Sequence, residues 1–277
     1  MHPRIRKAIL LVSVCLGLGM CTHADTSAST APQPTARPIV LDIGHQSTSR
    51  GAQTPDKTIN EFDFWCRYAG EIKNTIEQAG YPCIILNRGN APTKGASAEQ
   101  AKAAGVVFLN HPDKNARRYP STHHPAHIGA GMICADKAID LRARCVVFLH
   151  LNSVSNAWSS TPPTGLIICN RQHGHALAES VCSVLRAELL DQPGGIPNAG
   201  KGVKVLPRYI GSQPSAGWMN TLDEEKIPAI VFEALYTNYR AHMQYISQEA
   251  QARKLARAIG QGVVNWLQAT PAPAAAQ

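Results

Sequence analysis

The chain has 277 residues, 44% of them hydrophobic and 17% charged, with a formal net charge of +8. That is ample for one substantial core and too apolar for a disordered polyelectrolyte, and no clustered basic and aromatic face favours nucleic acid as a partner. Three of the positive charges, Arg4, Arg6 and Lys7, stand at the very start, which leaves +5 on the remainder; a basic exported protein suits polyanionic envelope material, and a plain solvated surface accounts for the charge equally well.

Residues 1–24 have the layout of a signal peptide: the basic start, an apolar run from Ala8 to Met20, and Thr22-His23-Ala24 as a small-x-small cleavage site. The apolar run is shorter than the roughly 20 residues that span a bilayer. Export to the periplasm is the expectation. A membrane-anchored lipoprotein is the alternative, because Leu18-Gly19-Met20-Cys21 approaches a lipid-attachment box. Residues 25–37 form a polar, proline-containing linker, 38–268 one catalytic domain, and 269–277 a Pro/Ala tail.

Within the domain, strands and helices alternate. A strand at 38–45 precedes a helix in which Phe62, Trp65, Ala69, Ile72, Ile76 and Ala79 recur at three- and four-residue steps, with Asn60 as N-cap and Gly80 as the residue that stops it. Further strands are expected at 81–87, 145–151, 164–170, 202–207 and 228–235, with helices at 130–143, 174–191 and 241–268. The fold class is α/β: a single domain with a mostly parallel, mixed twisted sheet flanked by helices. Beyond the signal stand Cys66, Cys83, Cys134, Cys145, Cys169 and Cys182. None forms a Cys-x-x-Cys pair, so structural disulfides or buried thiols are expected, with Cys66–Cys83, Cys134–Cys145 and Cys169–Cys182 as pairs near in sequence.

Two apolar runs end in histidine, Leu41-Asp-Ile-Gly-His45 and Val146-Val-Phe-Leu-His150, and a third, Ala229-Ile-Val-Phe-Glu233, ends in glutamate. In sheets covered on both faces, ligands collect beyond the carboxyl ends of the strands, and imidazole with carboxylate is zinc's mixed donor set. Glu61 opens the first helix four residues before Trp65, on the inward stripe, where its carboxylate reaches back toward the strand ends. His45, Glu61 and His150 therefore make a three-ligand site for one Zn2+ per chain, with a position left for water. Glu233 is then the free carboxylate that moves the proton. Taken singly, each residue has a plainer role, a hydrogen-bonded strand-end histidine or a helix-start acid; the combination is what points to metal.

The motifs Ile39-Val-Leu-Asp-Ile-Gly-His45 with Gly51-Ala52, Asn60-Glu61, Ala79-Gly80-Tyr81, His150-Leu-Asn152-Ser153, Lys201-Gly-Val-Lys204 and Val231-Phe-Glu233-Ala-Leu-Tyr-Thr-Asn238 resemble, in order, the zinc-dependent N-acetylmuramoyl-L-alanine amidases, peptidoglycan amidases of the AmiA/AmiB/AmiC and sporulation-autolysin type. The resemblance implies zinc held by His45, Glu61 and His150, a catalytic Glu233, and hydrolysis of the amide between N-acetylmuramic acid and L-alanine. Peptidoglycan or muropeptides would be the partner of a monomeric enzyme, with room for a protein activator. Asn152, Lys204 and Asn238 are the further residues expected to meet substrate.

The chain departs from the family pattern at Gln46-Ser47, at Leu151 within His-Leu-Asn, and in an insertion at about 88–127. That insertion repeats the apolar lead of the second histidine motif in Val106-Val-Phe-Leu-Asn-His111, making His111 a rival ligand, and holds His123, His124 and His127, either surface histidines or a second metal site. Its length also suits a cover over the cleft. Two other functions compete: a non-catalytic wall-binding or regulatory homologue, and a zinc carboxypeptidase acting on the stem peptide, which uses the same donor types.

Overall fold

The computed structural model describes residues 37–270 apart from 94, 111–118, 130, 162–163, 191–192, 194, 197–202 and 207–214. Seven strands, β1 (Ile39–Ile43), β2 (Cys83–Asn87), β3 (Val106–Phe108), β4 (Cys145–Leu149), β5 (Gly165–Cys169), β6 (Val203–Leu206) and β7 (Ala229–Glu233), lie in one sheet in the order β3-β2-β1-β4-β7-β5-β6. All neighbours are parallel except β5 against β7, so the sheet is mostly parallel and mixed, as the sequence predicts. The central strands β1 and β4 are buried at every residue. Such strands need apolar side chains on both faces, which is why they read as unbroken apolar runs.

One face of the sheet is covered by α1 (Glu61–Gln78), α4 (His175–Leu185) and α7 (Glu249–Ala269), the other by α3 (Met132–Asp140) and α5 (Ser215–Glu224). Helix α1 starts and stops as its sequence dictates: the Asn60 side chain accepts from the Asp63 amide at 2.9 Å, and Gly80 follows at φ 87°, a left-handed value that costs glycine little. Phe62, Trp65, Ala69, Ile72 and Ile76 are completely buried beneath it. Full burial of side chains this size contributes about 1.5–3 kcal/mol each for the larger aliphatic and aromatic ones.

Four features differ from the sequence expectation. The helix expected at 241–268 is two, α6 (Arg240–Ile246) and α7, separated where Gln248 is extended (ψ 116°) and the Ser247 hydroxyl caps the Gln244 carbonyl at 2.9 Å. Helix α5 forms where only a connection is expected. The insertion contributes α2 (Ala96–Ala103), packed on α1, and β3, an edge strand on β2. Cys134 and Cys145 sit on opposite faces of the sheet, Cys134 donating to Asp42 at 3.1 Å, so that candidate disulfide is geometrically excluded. Cys66 and Cys83 are buried thiols that burial pushes up, Cys66 to about 12. Residues 1–36, with the signal segment and Cys21, and His111 and Lys201 lie outside the described residues. Among the described residues, no helix is long and apolar enough to cross a membrane.

Asp42 is the one acid inside β1, buried between Cys134 and the strand ends. Burial pushes its pKa up to about 6, with nearby Arg88 and the Cys134 thiol holding it down only in part. The folded value lies above the unfolded one near 3.8, so its contribution to stability is fully present below that value and is lost as pH rises through about 6, an effect of about 3 kcal/mol. Metal-free Asp42→Asn should lack this fall. Urea midpoints measured between pH 4 and 7 check it: a steeper fall for the wild type is expected, and parallel curves would contradict it.

Candidate metal centre at the strand ends

Sheet order explains why three distant sequence motifs meet. Strands β1, β4 and β7 are adjacent, and their pairing continues past their ends: the Gly44 amide donates to Leu149 O at 3.0 Å and the His150 amide to Phe232 O at 3.0 Å. His45, His150 and Glu233 consequently leave neighbouring strands at one edge. His45 takes φ 65°, a left-handed conformation uncommon outside glycine. The sharp turn leaves its Nε2 3.1 Å from Glu61 Oε2, while His150 Nδ1 lies 2.8 Å from Glu61 Oε1. The two imidazoles meet edge to face, with ring centroids 5.3 Å apart.

Glu61 is 1% exposed, and the loop before α1 holds it: Ala52 N donates to its Oε2 at 2.8 Å and Glu61 N donates to Ala52 O at 2.9 Å. Its Oε1 makes no hydrogen bond, although His150 Nδ1 is so near. A buried carboxylate oxygen facing an imidazole nitrogen without hydrogen-bond alignment fits two lone pairs converging on a cation. The donor atoms of His45, Glu61 and His150 all lie within 4.8 Å of one another. Burial by itself would raise the Glu61 pKa, but the imidazoles of His150 and His45 override it and hold the carboxyl down at about 2. Burial disfavours a charged His150, and Glu61 outweighs that, so the imidazole pKa is raised.

Two glycines make room. A Cβ on Gly44 would meet His150 Cε1 at 2.6 Å, and one on Gly51, at φ 76°, would overlap His45 Cδ2 and Glu61 Oε2. Glu233 lies beyond the three candidate ligands, its pKa raised by burial and by the Glu61 charge, with His150 opposing. Its Oε2 accepts from Asn152 Nδ2 at 3.3 Å. Asn152 is itself fixed on both sides, its amide donating to Leu235 O and its carbonyl accepting from Thr237 N, each at 2.8 Å. Asn238 is completely buried and gives its side-chain amide to Ser155 Oγ and Ala157 O, so it shapes the loop after His150. Lys204 is exposed, and through Leu166 it is in register with Glu233 two strands away, about 10 Å at the usual strand spacing.

Two supporting residues were not among the sequence candidates. Asn87, completely buried, donates to both Ile43 O and His45 O at 2.8 Å and so fixes the end of β1. It ends an apolar run as His150 does, and that signal was available. His242 accepts from Tyr236 N at 3.2 Å through Nδ1, and burial holds its pKa down at about 4, keeping it a neutral acceptor.

The family model for N-acetylmuramoyl-L-alanine amidase matches residues 39–265. The chain belongs to that family. Solved structures of similar fold include the CwlD amidase of Clostridioides difficile in complex with the GerS lipoprotein, at 17% identity over 84% of this chain and 100% of that one, with a TM-score of 0.53. The amidase AmiC2 of Nostoc punctiforme matches at 18% identity over 83% and 97%, with a TM-score of 0.53. An N-acetylmuramoyl-L-alanine amidase from Clostridium difficile 630 matches at 17% over 86% and 100%, TM-score 0.54. At these identities the likeness shows the fold. No curated protein matches the chain by sequence. As a member of this amidase family the chain is a hydrolase of the peptidoglycan amide.

The crowding at Gly51 generates a direct expectation. In Gly51→Ala the added methyl group displaces His45 and Glu61 together, so zinc affinity should fall by at least about 10-fold, the scale on which disturbed ligand supports act, while far-UV circular dichroism stays unchanged. Isothermal titration with zinc checks it, and wild-type affinity would contradict the convergence described.

Proposed function

We propose that the chain cleaves the amide between the lactyl group of N-acetylmuramic acid and L-alanine, using one Zn2+ held by His45, Glu61 and His150, with Glu233 as the general base. The observation that carries the reading is the Glu61 carboxylate, buried between two imidazoles with one oxygen lacking any hydrogen bond. When bound, the ion supplies Lewis-acid chemistry that lets water lose a proton near neutral pH. Glu233 receives that proton and delivers it to the departing amino group of L-alanine; its raised pKa brings it closer to the working pH, where acid and base roles are both open to it. Asn152 orients Glu233 by donating to Oε2, and leaves Oε1 for the water. The ammonium of Lys204, level with Glu233, meets the acidic groups of the stem peptide. Asn238 acts through the loop it holds.

Export through residues 1–24, the linker at 25–37 and the catalytic domain at 38–268 belong to the same reading, as does action as a monomer on peptidoglycan. The neighbour solved together with the GerS lipoprotein keeps a protein activator open for this chain.

Glu233→Gln should bind zinc as the wild type does and cleave a defined muropeptide about 100- to 10,000-fold more slowly, the usual loss of a general base. Product masses accompany the rates. Intact stem peptide with a free L-alanine amine is expected; a peptide shortened at its carboxyl end, or full activity in Glu233→Gln, would overturn the proposal.

A further inference from the structure

A second group of metal-type ligands lies at the other edge of the sheet, where α3 and α5 end and lead into the starts of β4 and β7. His124 Nδ1 is 2.9 Å from Glu224 Oε2, and His127 Nε2 is 3.9 Å from Glu224 Oε1. The donor atoms of all three residues lie within 4.8 Å of one another. The two imidazoles come from one turn of the insertion, closed by His127 N donating to His124 O at 2.8 Å, with the rings stacked at a centroid distance of 5.5 Å.

We propose that His124, His127 and Glu224 form a second divalent-cation site, of the imidazole–carboxylate class that zinc prefers, which fastens the insertion to α5.

Three observations support it. The first is the position of each second ring nitrogen. His127 Nδ1 is 2.6 Å from the Thr221 hydroxyl, which lies 3.0 Å from Gly217 O; with the hydroxyl hydrogen on that carbonyl the ring donates from Nδ1, and Nε2 is the nitrogen that faces Glu224. His124 stands between two carboxylates, Nε2 3.3 Å from Glu225 Oε1 and Nδ1 2.9 Å from Glu224 Oε2; with the ring hydrogen on Glu225, the Nδ1 lone pair faces Glu224. Partners that hold the far nitrogen and aim the near one are what a metal-ligating histidine requires.

The second is electrostatic. Asp223, Glu224 and Glu225 stand in succession at the C-terminal end of α5, whose last turn carries no basic residue. Carboxylates there face the negative end of the helix dipole and one another, and a cation relieves both. Asp223 is already engaged by His173 Nδ1 at 2.9 Å; Glu224 and Glu225 are left to the insertion.

The third is preorganisation. Ser121 Oγ donates to buried Asp136 on α3 at 2.6 Å and accepts from the amides of His123 and His124, while Thr122 N donates to the other Asp136 oxygen at 2.7 Å. His123 Nε2 reaches Asp140 at 3.2 Å. The turn is thus moored to α3 before any ligand forms, and Gly217 lets it run close along α5, where a Cβ would come 3.1 Å from Ile128 O. A proton on His124 Nδ1 would satisfy the same carboxylate without metal, so the test must separate the two.

The full chain, stripped with chelator and dialysed against a slight excess of Zn2+, should carry about two zinc ions per chain by elemental analysis, one for each three-ligand set. His124→Ala/His127→Ala should carry about one and retain muropeptide cleavage, whereas His45→Ala should keep the other ion and lose cleavage. A wild type with one ion, or a double variant with unchanged zinc content, overturns the second site without touching the first. If the double variant fails to fold, His45→Ala decides alone: one bound zinc, with a thermal midpoint that rises on zinc addition, supports the site. No bound zinc in that protein, with its midpoint depending on pH only, overturns it in favour of protonated histidines.

Discussion

The structure turns on a carboxylate that is kept from water. Glu61 is buried at the start of α1, beneath the ends of β1 and β4, and an ionised acid in that position is sustained only by positive charge and hydrogen-bond donors. One backbone amide reaches Oε2, two imidazoles face the group, and Oε1 stays without a hydrogen bond. Everything around it serves that arrangement: the left-handed turn at His45, the missing side chains at Gly44 and Gly51, and the amide of Asn87 drawing the end of β1 into place.

The parallel sheet is what allows so demanding a site. Strands buried on both faces are long on apolar side chains and short on polar ones, and the polar residues that close these runs fall at the strand ends. Because β1, β4 and β7 are neighbours, three such residues arrive side by side. His45 and His150 face Glu61 directly; Glu233, on the same edge but held by Asn152, keeps an oxygen free. The opposite edge of the sheet gathers its own set, where the ends of α3 and α5 present acids to a turn rich in histidine.

Much of this was legible in the sequence because the governing patterns are local. Apolar runs ending in His45, His150 and Glu233, and a helix opening on Asn60-Glu61, require no knowledge of distant contacts, and the cap at Asn60 and the stop at Gly80 formed where the residue types placed them. The parts that were not legible depend on tertiary partners. The break lies inside a continuous helical pattern, at Ser247, whose hydroxyl caps the Gln244 carbonyl, and Gln248, which is extended. Helix α5 is short, and its apolar residues Trp218, Met219 and Leu222 become a stripe only against α3 and the sheet. The insertion reads as a long loop, yet β3 pairs with β2 and the turn at 119–129 is tied to Asp136 and Thr221, contacts separated by many residues. Asn238 is completely buried and its amide holds the loop after His150, a contact that its motif does not disclose.

Diffraction at the zinc absorption edge, on crystals of the zinc-loaded chain, shows directly whether these three residues hold the ion. An anomalous peak is expected at bonding distance, about 2.0–2.2 Å, from His45 Nε2, a Glu61 carboxylate oxygen and His150 Nδ1, with Gly51 and Asn87 unmoved. A zinc-loaded crystal with no ion at these three residues, and Glu61 still closed against both imidazoles, would contradict it.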